Sequence, residues 1–313
     1  GLMHGLHCSK NSESKNNFIG LEKDMNMEIK APAKVNLSLE ILGKRLDGFH
    51  DISSITQTIS LFDKLQIERD DQLTLESPGF ELHSNKNIVY SAAKKMREQY
   101  SVNLGARMVL QKKIPVSAGL GGGSSDAAAA IKILNKIWKL NLPLQELISF
   151  ASTIGSDVPF FLEGGTSFVQ GRGELIRELP DCKIGWLVIV VPNVRLEKKT
   201  KSMYSNLTEN NYTSGGLSRK LEARIRNGGD CPPQLMFNGF LEVAKESIPA
   251  VEKAFSIFNT VGVHEIHLTG SGPSLFTIVK RKEIATALSL LLTHKYQLES
   301  YVVGNVSRDT FQV

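Results

Sequence analysis

The chain has 313 residues, 41% of them hydrophobic and 22% charged, with a formal net charge of +5. That is the composition of a globular protein long enough for two packed units, and it excludes a collagen-like or disordered chain. The basic excess is modest and gathers into no cluster of the size a nucleic-acid binder carries, so neither nucleic acid nor membrane is an expected partner.

Residues 1–26 are polar and show no sustained period. They lack the apolar core of a signal peptide, and Glu13, Glu22 and Asp24 argue against a transit peptide. They read as a disordered leader or a non-native remnant, with the fold starting near Met27. Val35, Leu37, Leu39 and Ile41 then alternate with polar residues, the period of a half-buried strand whose polar face carries Lys34 and Asn36. Short strands are predicted at Leu65–Arg69 and Leu73–Leu75, an amphipathic helix at Asn87–Tyr100, and a strand at Met108–Lys112. Helices follow at Ser125–Leu140 and Pro143–Ile154, the second with Pro near its start and Gly155 past its end.

The β-prone run Trp186–Val191 reads as a buried strand, too short to span a bilayer. A domain boundary is expected just before it, around Asp181–Gly185, dividing residues 27–183 from 184–313. Leu207–Gly216 reads as an exposed loop. Helices are expected at Leu217–Ile225, Ala250–Asn259 and Lys282–Leu292, and strands at Val263–Leu268, Leu275–Lys280 and Ser300–Val303. The pattern is that of an α+β fold of two lobes, each a sheet with helices on one side. Cys8, Cys182 and Cys231 are widely spaced and make neither a disulfide framework nor a zinc site, which suits a reducing cytoplasm.

The most informative stretch is Pro115-Val-Ser-Ala-Gly-Leu-Gly-Gly-Gly-Ser-Ser-Asp126. Glycines let a backbone approach a ligand, and the Ser-Asp-Ala run after them reads as a capped helix start. A glycine loop feeding a helix N-terminus aims main-chain N–H groups at one spot that favours anions, so a polyphosphate is the expected occupant. The loop is no Walker A motif, because Ser124 rather than Lys follows Gly123. Nor is it a dinucleotide fingerprint or protein-kinase loop, both of which need glycine at 124.

The order of residues from Pro115 to Asp126 resembles the phosphate loop of the GHMP kinases, the family of galactokinase, homoserine kinase and mevalonate kinase. Three more segments match in the same order: Ala31–Leu37 with Asp47-Gly-Phe-His50, Gly155-Ser-Asp-Val-Pro-Phe-Phe161, and Leu268-Thr-Gly-Ser-Gly-Pro-Ser274. The first two are similar to the branch of the family that phosphorylates a cytidine diphosphate-linked methylerythritol in non-mevalonate isoprenoid biosynthesis, and the third corresponds to the C-terminal motif of the whole family. The resemblance runs from about Met27 to the end and implies a two-lobed fold of mixed or antiparallel sheets, with the active site in the cleft between lobes. It also implies ATP as phosphoryl donor and a cytoplasmic enzyme, a monomer or weak homodimer. ATP would be bound by Pro115, Val116, Ser117, Ala118, Gly119, Leu120, Gly121, Gly122, Gly123, Ser124 and Ser125. Mg2+ is expected with it, held mainly by phosphates, since no acidic pair has ligand spacing.

Each remaining site residue has a plain reading beside the one the resemblance implies. Asp157 could simply cap the Val158–Leu162 segment; the resemblance makes it the carboxylate that accepts the proton of the attacking alcohol. Lys34 could be a solvated strand-edge lysine; the resemblance places it beside Asp157 as the second catalytic residue. Asp47-Gly is a turn signal by itself; the resemblance adds cytosine stacking by Phe49 and a hydrogen bond from His50 to the base edge. Tyr is commoner than Phe at position 49 in that branch. Asn36 is an expected substrate contact. Thr269, Gly270, Ser271 and Gly272 could merely end a strand; the resemblance lets their backbone approach substrate or phosphates. His264 and His267 would point to opposite faces of a strand, so no shared metal is expected. Lys198, Lys199 and Lys201 read as a solvated helix face, with contact to phosphate as the alternative. A kinase for homoserine or mevalonate is the rival within the family, and Asp47–His50 speaks against it. A nucleotide binder without turnover is the rival outside it, and the pairing of Lys34 with Asp157 speaks against that.

Overall fold

The computed structural model describes residues 26–80, 86–194 and 199–311. The expected leader up to residue 25, Cys8 with it, and Lys198 lie outside the described residues; Asn26 already opens a strand. Among the described residues no helix is long and apolar enough to cross a membrane.

A six-stranded sheet forms the first half. Strands β1 (Asn26–Lys44) and β2 (His50–Asp70) make one long antiparallel hairpin. β2 is the hub. Its first part pairs with β5 (Thr166–Gly171) and its last part with β4 (Gly105–Gln111). β3 (Leu73–Glu76) runs parallel to β4, and β6 (Leu175–Leu179) closes the other edge against β5. The sequence reading recognised only the end of β2, because Ser53, Ser54, Thr56, Gln57 and Thr58 hide its apolar face. These side chains are buried, and several are satisfied across the sheet: Ser54 Oγ donates to Ser38 O (2.6 Å) and Thr58 Oγ1 to Val306 O (2.8 Å).

β1 departs from the expected half-buried strand. Every residue from Ala33 to Ile41 is buried, so its polar face is internal. The later half of the chain covers it. Ser38 Oγ meets Ser218 Oγ at 2.8 Å, and Glu40 Oε2 accepts from Ser218 N at 2.8 Å. The predicted exposed loop at 207–216 adds to this cover, with Thr213 N donating to Ile41 O (2.9 Å).

Among the described residues four helices belong to this half: α1 (Ile88–Gln99), α2 (Gly122–Ile137), α3 (Leu144–Ser152) and α4 (Val158–Phe161). α2 lies against β1, β2 and α1. Its Ala127–Ala130 run is buried, and side chains this small let the helix axis come close to the sheet. α2 starts three residues before the predicted Ser125. Its N-cap is Gly121 at φ 71°, with no side-chain cap bond, so the glycine rather than a Ser or Asp turns the chain into the helix.

A four-stranded antiparallel sheet follows, in the order β10–β7–β9–β8: β7 (Trp186–Val191), β8 (His267–Leu268), β9 (Leu275–Val279) and β10 (Glu299–Val303). With it go α5 (Lys199–Ser205), α6 (Gly216–Arg226), α7 (Leu241–Ser247), α8 (Pro249–Thr260) and α9 (Lys282–Tyr296). The strand predicted at Val263–Leu268 shrinks to its last two residues. The chain first closes α8, with Val263 N bonding back to Phe258 O (2.9 Å) after Gly262 at φ 86°. α6 packs on β1 and β2 of the first sheet, which is how the polar face of β1 becomes buried.

Candidate active site

Three backbone segments meet along β1. Lys34 N donates to Leu120 O (2.9 Å), which ties the glycine loop to the strand. On its other side, Asn36 N donates to Thr269 Oγ1 (3.3 Å) and Asn36 Oδ1 accepts from Gly270 N (2.9 Å). The glycine loop and the 269–274 turn also touch directly: Thr269 Oγ1 donates to Gly119 O (3.1 Å) and Ser274 N to Ala118 O (3.2 Å). Contact this close explains the glycines. A Cβ on Gly119 would overlap Thr269 O and lie 2.8 Å from Gly272 O, and one on Gly121 would lie 2.8 Å from the Phe161 ring and 3.0 Å from Lys34 Cγ.

The loop is aimed by its own anchors. Buried Asp63 accepts from Lys113 N (2.5 Å) and Ile114 N (2.8 Å), and from Lys112 Nζ (2.5 Å); Lys112 Nζ also donates to Asp126 Oδ2 (2.8 Å) on α2. One lysine thus joins the strand end before the loop to the helix after it. Burial pushes the Asp126 carboxyl well above the usual range, with Lys112 opposing the shift. The N–H groups of the first turn of α2 have no intrahelical acceptor and no side-chain cap, so they are available to an anion.

Lys34 is buried, with Nζ donating to Asn36 Oδ1 (2.7 Å). Asn36 Nδ2 in turn donates to Ser54 Oγ (2.9 Å) and Thr56 Oγ1 (3.3 Å), which fixes the amide's orientation. Burial lowers the Lys34 pKa and the charge of Asp157 works against that. Asp157 precedes α4 but makes no cap bond, so the plain capping reading does not hold. Its carboxylate is exposed and, among the described residues, carries no hydrogen bond or ion pair. It interacts through space with Lys34 and with two residues of α5, Lys199 and Tyr204.

Lys199 corrects the sequence reading. It is buried rather than solvated, and its Nζ donates to Ser117 O (3.2 Å) and Gly272 O. Tyr204 was missed altogether; its ring lies 4.9 Å from His50 and 4.9 Å from Phe240 between centroids. Tyr212, also missed, has its hydroxyl 3.3 Å from His50 Nε2. Nothing in the local sequence marks either tyrosine, since each reaches His50 from a separate part of the chain. The 45–51 turn is cross-braced: Arg45 pairs with Asp47 (3.1 Å) and Asp51 (2.8 Å), and Phe49 N donates to Asp47 Oδ1 (3.1 Å). Phe49 is 50% exposed, with the Arg172 guanidinium 4.5 Å from its ring centroid. Burial, and then Lys44, lowers the His50 pKa. His264 and His267 do not converge. His267 is buried, its Nδ1 3.2 Å from Met236 O, and its pKa is lowered to about 4 by burial, whereas His264 is exposed. Among the described residues no group of three or more His, Cys, Asp or Glu could hold a metal.

This architecture is that of a GHMP kinase. The family profile for the GHMP kinases N terminal domain matches residues 87–165, and that for the GHMP kinases C terminal matches residues 222–293. A 4-diphosphocytidyl-2-C-methyl-D-erythritol kinase of Dehalococcoides mccartyi is 38% identical over 277 residues, 88% of this chain and 97% of the relative. One from Listeria monocytogenes is 38% identical over 261 residues, 82% of this chain and 88% of its own. A crystal structure of 4-(cytidine 5'-diphospho)-2C-methyl-D-erythritol kinase superposes with a TM-score of 0.74 at 27% identity, covering 88% of this chain and 98% of that one. The homoserine kinase of Cytophaga hutchinsonii shares the fold, with a TM-score of 0.71 at 18% identity over 94% of this chain and 98% of its own. The chain belongs to the GHMP kinases and, within them, to the family of 4-diphosphocytidyl-2-C-methyl-D-erythritol kinases.

Proposed function

We infer that the chain transfers the γ-phosphoryl group of ATP to the 2-hydroxyl of 4-diphosphocytidyl-2-C-methyl-D-erythritol, giving the 2-phosphate and ADP in non-mevalonate isoprenoid precursor biosynthesis. The observation that carries this reading is the meeting of an uncapped glycine loop with Lys34 and an uncommitted Asp157 carboxylate. In the proposed division, residues 27–183 hold the nucleotide and residues 184–313 close over it.

The main-chain N–H groups of 116–124 that have no acceptor receive the triphosphate. Asp157 aligns the 2-hydroxyl and takes its proton as the new P–O bond forms and the bond to the β-phosphate oxygen breaks. Lys34, oriented by Asn36, compensates charge on the transferring group. Because phosphoryl transfer runs through a loose transition state in most analyses, positioning and charge matter more than proton removal. Mg2+ bound with ATP would neutralise phosphate charge and be held mainly by phosphate oxygens; the Ser125 hydroxyl, buried without a partner, is an oxygen donor that fits it. Phe49 offers a stacking face to cytosine, His50 reads the base edge, and the 270–272 backbone approaches the substrate. Asn36, expected to touch it, instead has its amide committed to Lys34, Gly270, Ser54 and Thr56, and Thr269 is buried on Gly119, so both act by orienting their neighbours. Cys182 and Cys231 are buried free thiols whose sulfurs lie 2.7 Å apart, and a reducing cytoplasm would keep them as thiols.

The test is ADP release with the cytidine-linked alcohol, run against homoserine and mevalonate. Asp157→Asn should lower kcat by about 10²–10⁴-fold, the range for a positioned acid–base group. Its melting temperature should stay close to wild type, since the carboxylate caps nothing. Turnover of the variant at near-normal rate would remove Asp157 from the mechanism.

A further inference from the structure

Lys199 is the first described residue of α5, yet its ammonium is spent on two main-chain carbonyls from distant parts of the chain. Ser117 O belongs to the glycine loop, where Ser117 itself holds φ 57°; Gly272 O belongs to the opposite turn, at φ 80°. Two carbonyl oxygens facing one another repel and cannot bond. A cation with several donors and no acceptor is the group that satisfies both. The remaining bonds across this seam are neutral ones, from Thr269 to Gly119 and from Ser274 to Ala118. Charge matters here as well. Lys34, Lys199 and Asp157 interact with one another, so their formal charges sum to one positive beside the loop, which suits a polyanion.

We propose that Lys199 is a positioning residue for phosphoryl transfer: its ammonium clips the glycine loop to the opposite turn and so fixes the distance at which Asp157 and Lys34 meet the bound triphosphate. This rests on the kinase reading above. Lys199 acts through two loops rather than on the reacting atoms, so its loss is felt in kcat with both substrates saturating. The clip also depends on pH. Burial, and then Lys34, lowers the Lys199 pKa to about 8, with Asp157 opposing. The ammonium is therefore present at neutral pH and is lost as pH rises past that value. The groups facing it are Lys34 from β1, Asp157 ahead of α4 and, on its own helix, Tyr204, whose hydroxyl burial and Asp157 hold protonated over that range.

The experiment measures kcat by ADP release from pH 6.5 to 9.5 for wild type, Lys199→Met and Lys199→Arg, with melting temperatures alongside. Lys199→Met keeps the stem and removes the cation; at pH 7 its kcat should fall about tenfold or more, the effect of losing the two charge-assisted hydrogen bonds of the clip. Lys199→Arg keeps a cation that does not titrate in this range, so it should recover kcat to within about threefold and carry its plateau past the wild-type decline near pH 8. A Lys199→Met kcat within about twofold of wild type overturns the proposal. So does a folded Lys199→Arg that is no better than Lys199→Met. Should Lys199→Met not fold, wild type and Lys199→Arg decide it alone, and an identical alkaline decline in both overturns it. A wild-type enzyme that releases no ADP with the cytidine-linked alcohol overturns the kinase reading and this proposal together.

Discussion

Replacing Gly119 by alanine separates two effects that a glycine loop combines. Gly119 holds φ 82°, so any side chain there pays left-handed strain of about 1–2 kcal/mol. Its Cβ would also press on Thr269 O and on Gly272 O at 2.8 Å, both rigid backbone atoms. Relief requires the glycine loop and the opposite turn to part by roughly half an ångström to one ångström, and a shift of about 1 Å at a reacting centre can cost around 10²-fold in rate. Gly262 provides the control, because it has φ 86° with nothing within 4 Å of a Cβ, and so carries the strain without the collision. Both variants should melt lower, by about 1.5–3 °C for a strain of this size in a chain of this length, at roughly 2.1 cal/mol/K of unfolding entropy per residue. Gly119→Ala should in addition lose about 10- to 100-fold in kcat in the ADP-release assay, while Gly262→Ala keeps its rate. Equal kinetics for the two alanine variants would refute the reasoning, since the seam between the loops would then have no bearing on the reaction.

His50→Ala removes the group on which Tyr204 and Tyr212 converge. It should raise KM for the cytidine-linked alcohol by about tenfold, the value of a hydrogen bond plus a ring contact, and leave KM for ATP nearly unchanged; equal changes in both would detach His50 from base reading. Lys132 tests the stability side of burial. Burial lowers its pKa to about 8, with Glu163 opposing, so between about 8 and the ordinary lysine value of 10.5 the unfolded chain binds more protons than the folded one. Its contribution to stability therefore rises with pH through that window. Any melting-temperature advantage of Lys132→Met over wild type should shrink between pH 7.5 and 10, and calorimetry showing it widen would reverse the sign.

The motifs were legible because each one is local. Pro115–Asp126 carries its family signature in consecutive residues, and so does Gly155–Phe161. The periodic elements came through for the same reason: α8, α9, β7 and β9 lie within a few residues of their predicted bounds. What failed was whatever depends on who covers a face. The alternation Lys34, Asn36, Ser38 and Glu40 signals a strand correctly, but alternation cannot say whether the polar side meets water or protein. Here it meets Thr269, Gly270 and Ser218. The lysines near 199 look like any solvated run, and the cysteines 49 residues apart look unrelated, although Cys182 Sγ and Cys231 Sγ lie 2.7 Å from each other.

The amino-acid order by itself determined a glycine loop ahead of a helix, the family the chain belongs to and the residue types of the proposed site, because main-chain conformation and residue chemistry are properties of short stretches. Only the tertiary structure decided that Lys34 is buried on Asn36, that Asp157 is left free of its own helix, and that Lys199, Tyr204 and Tyr212 belong to the same neighbourhood. The burial of Lys34 and the contacts of Lys199, Tyr204 and Tyr212 come from distant segments. They follow from the packing of the second half of the chain onto β1 and β2, and no local pattern encodes them.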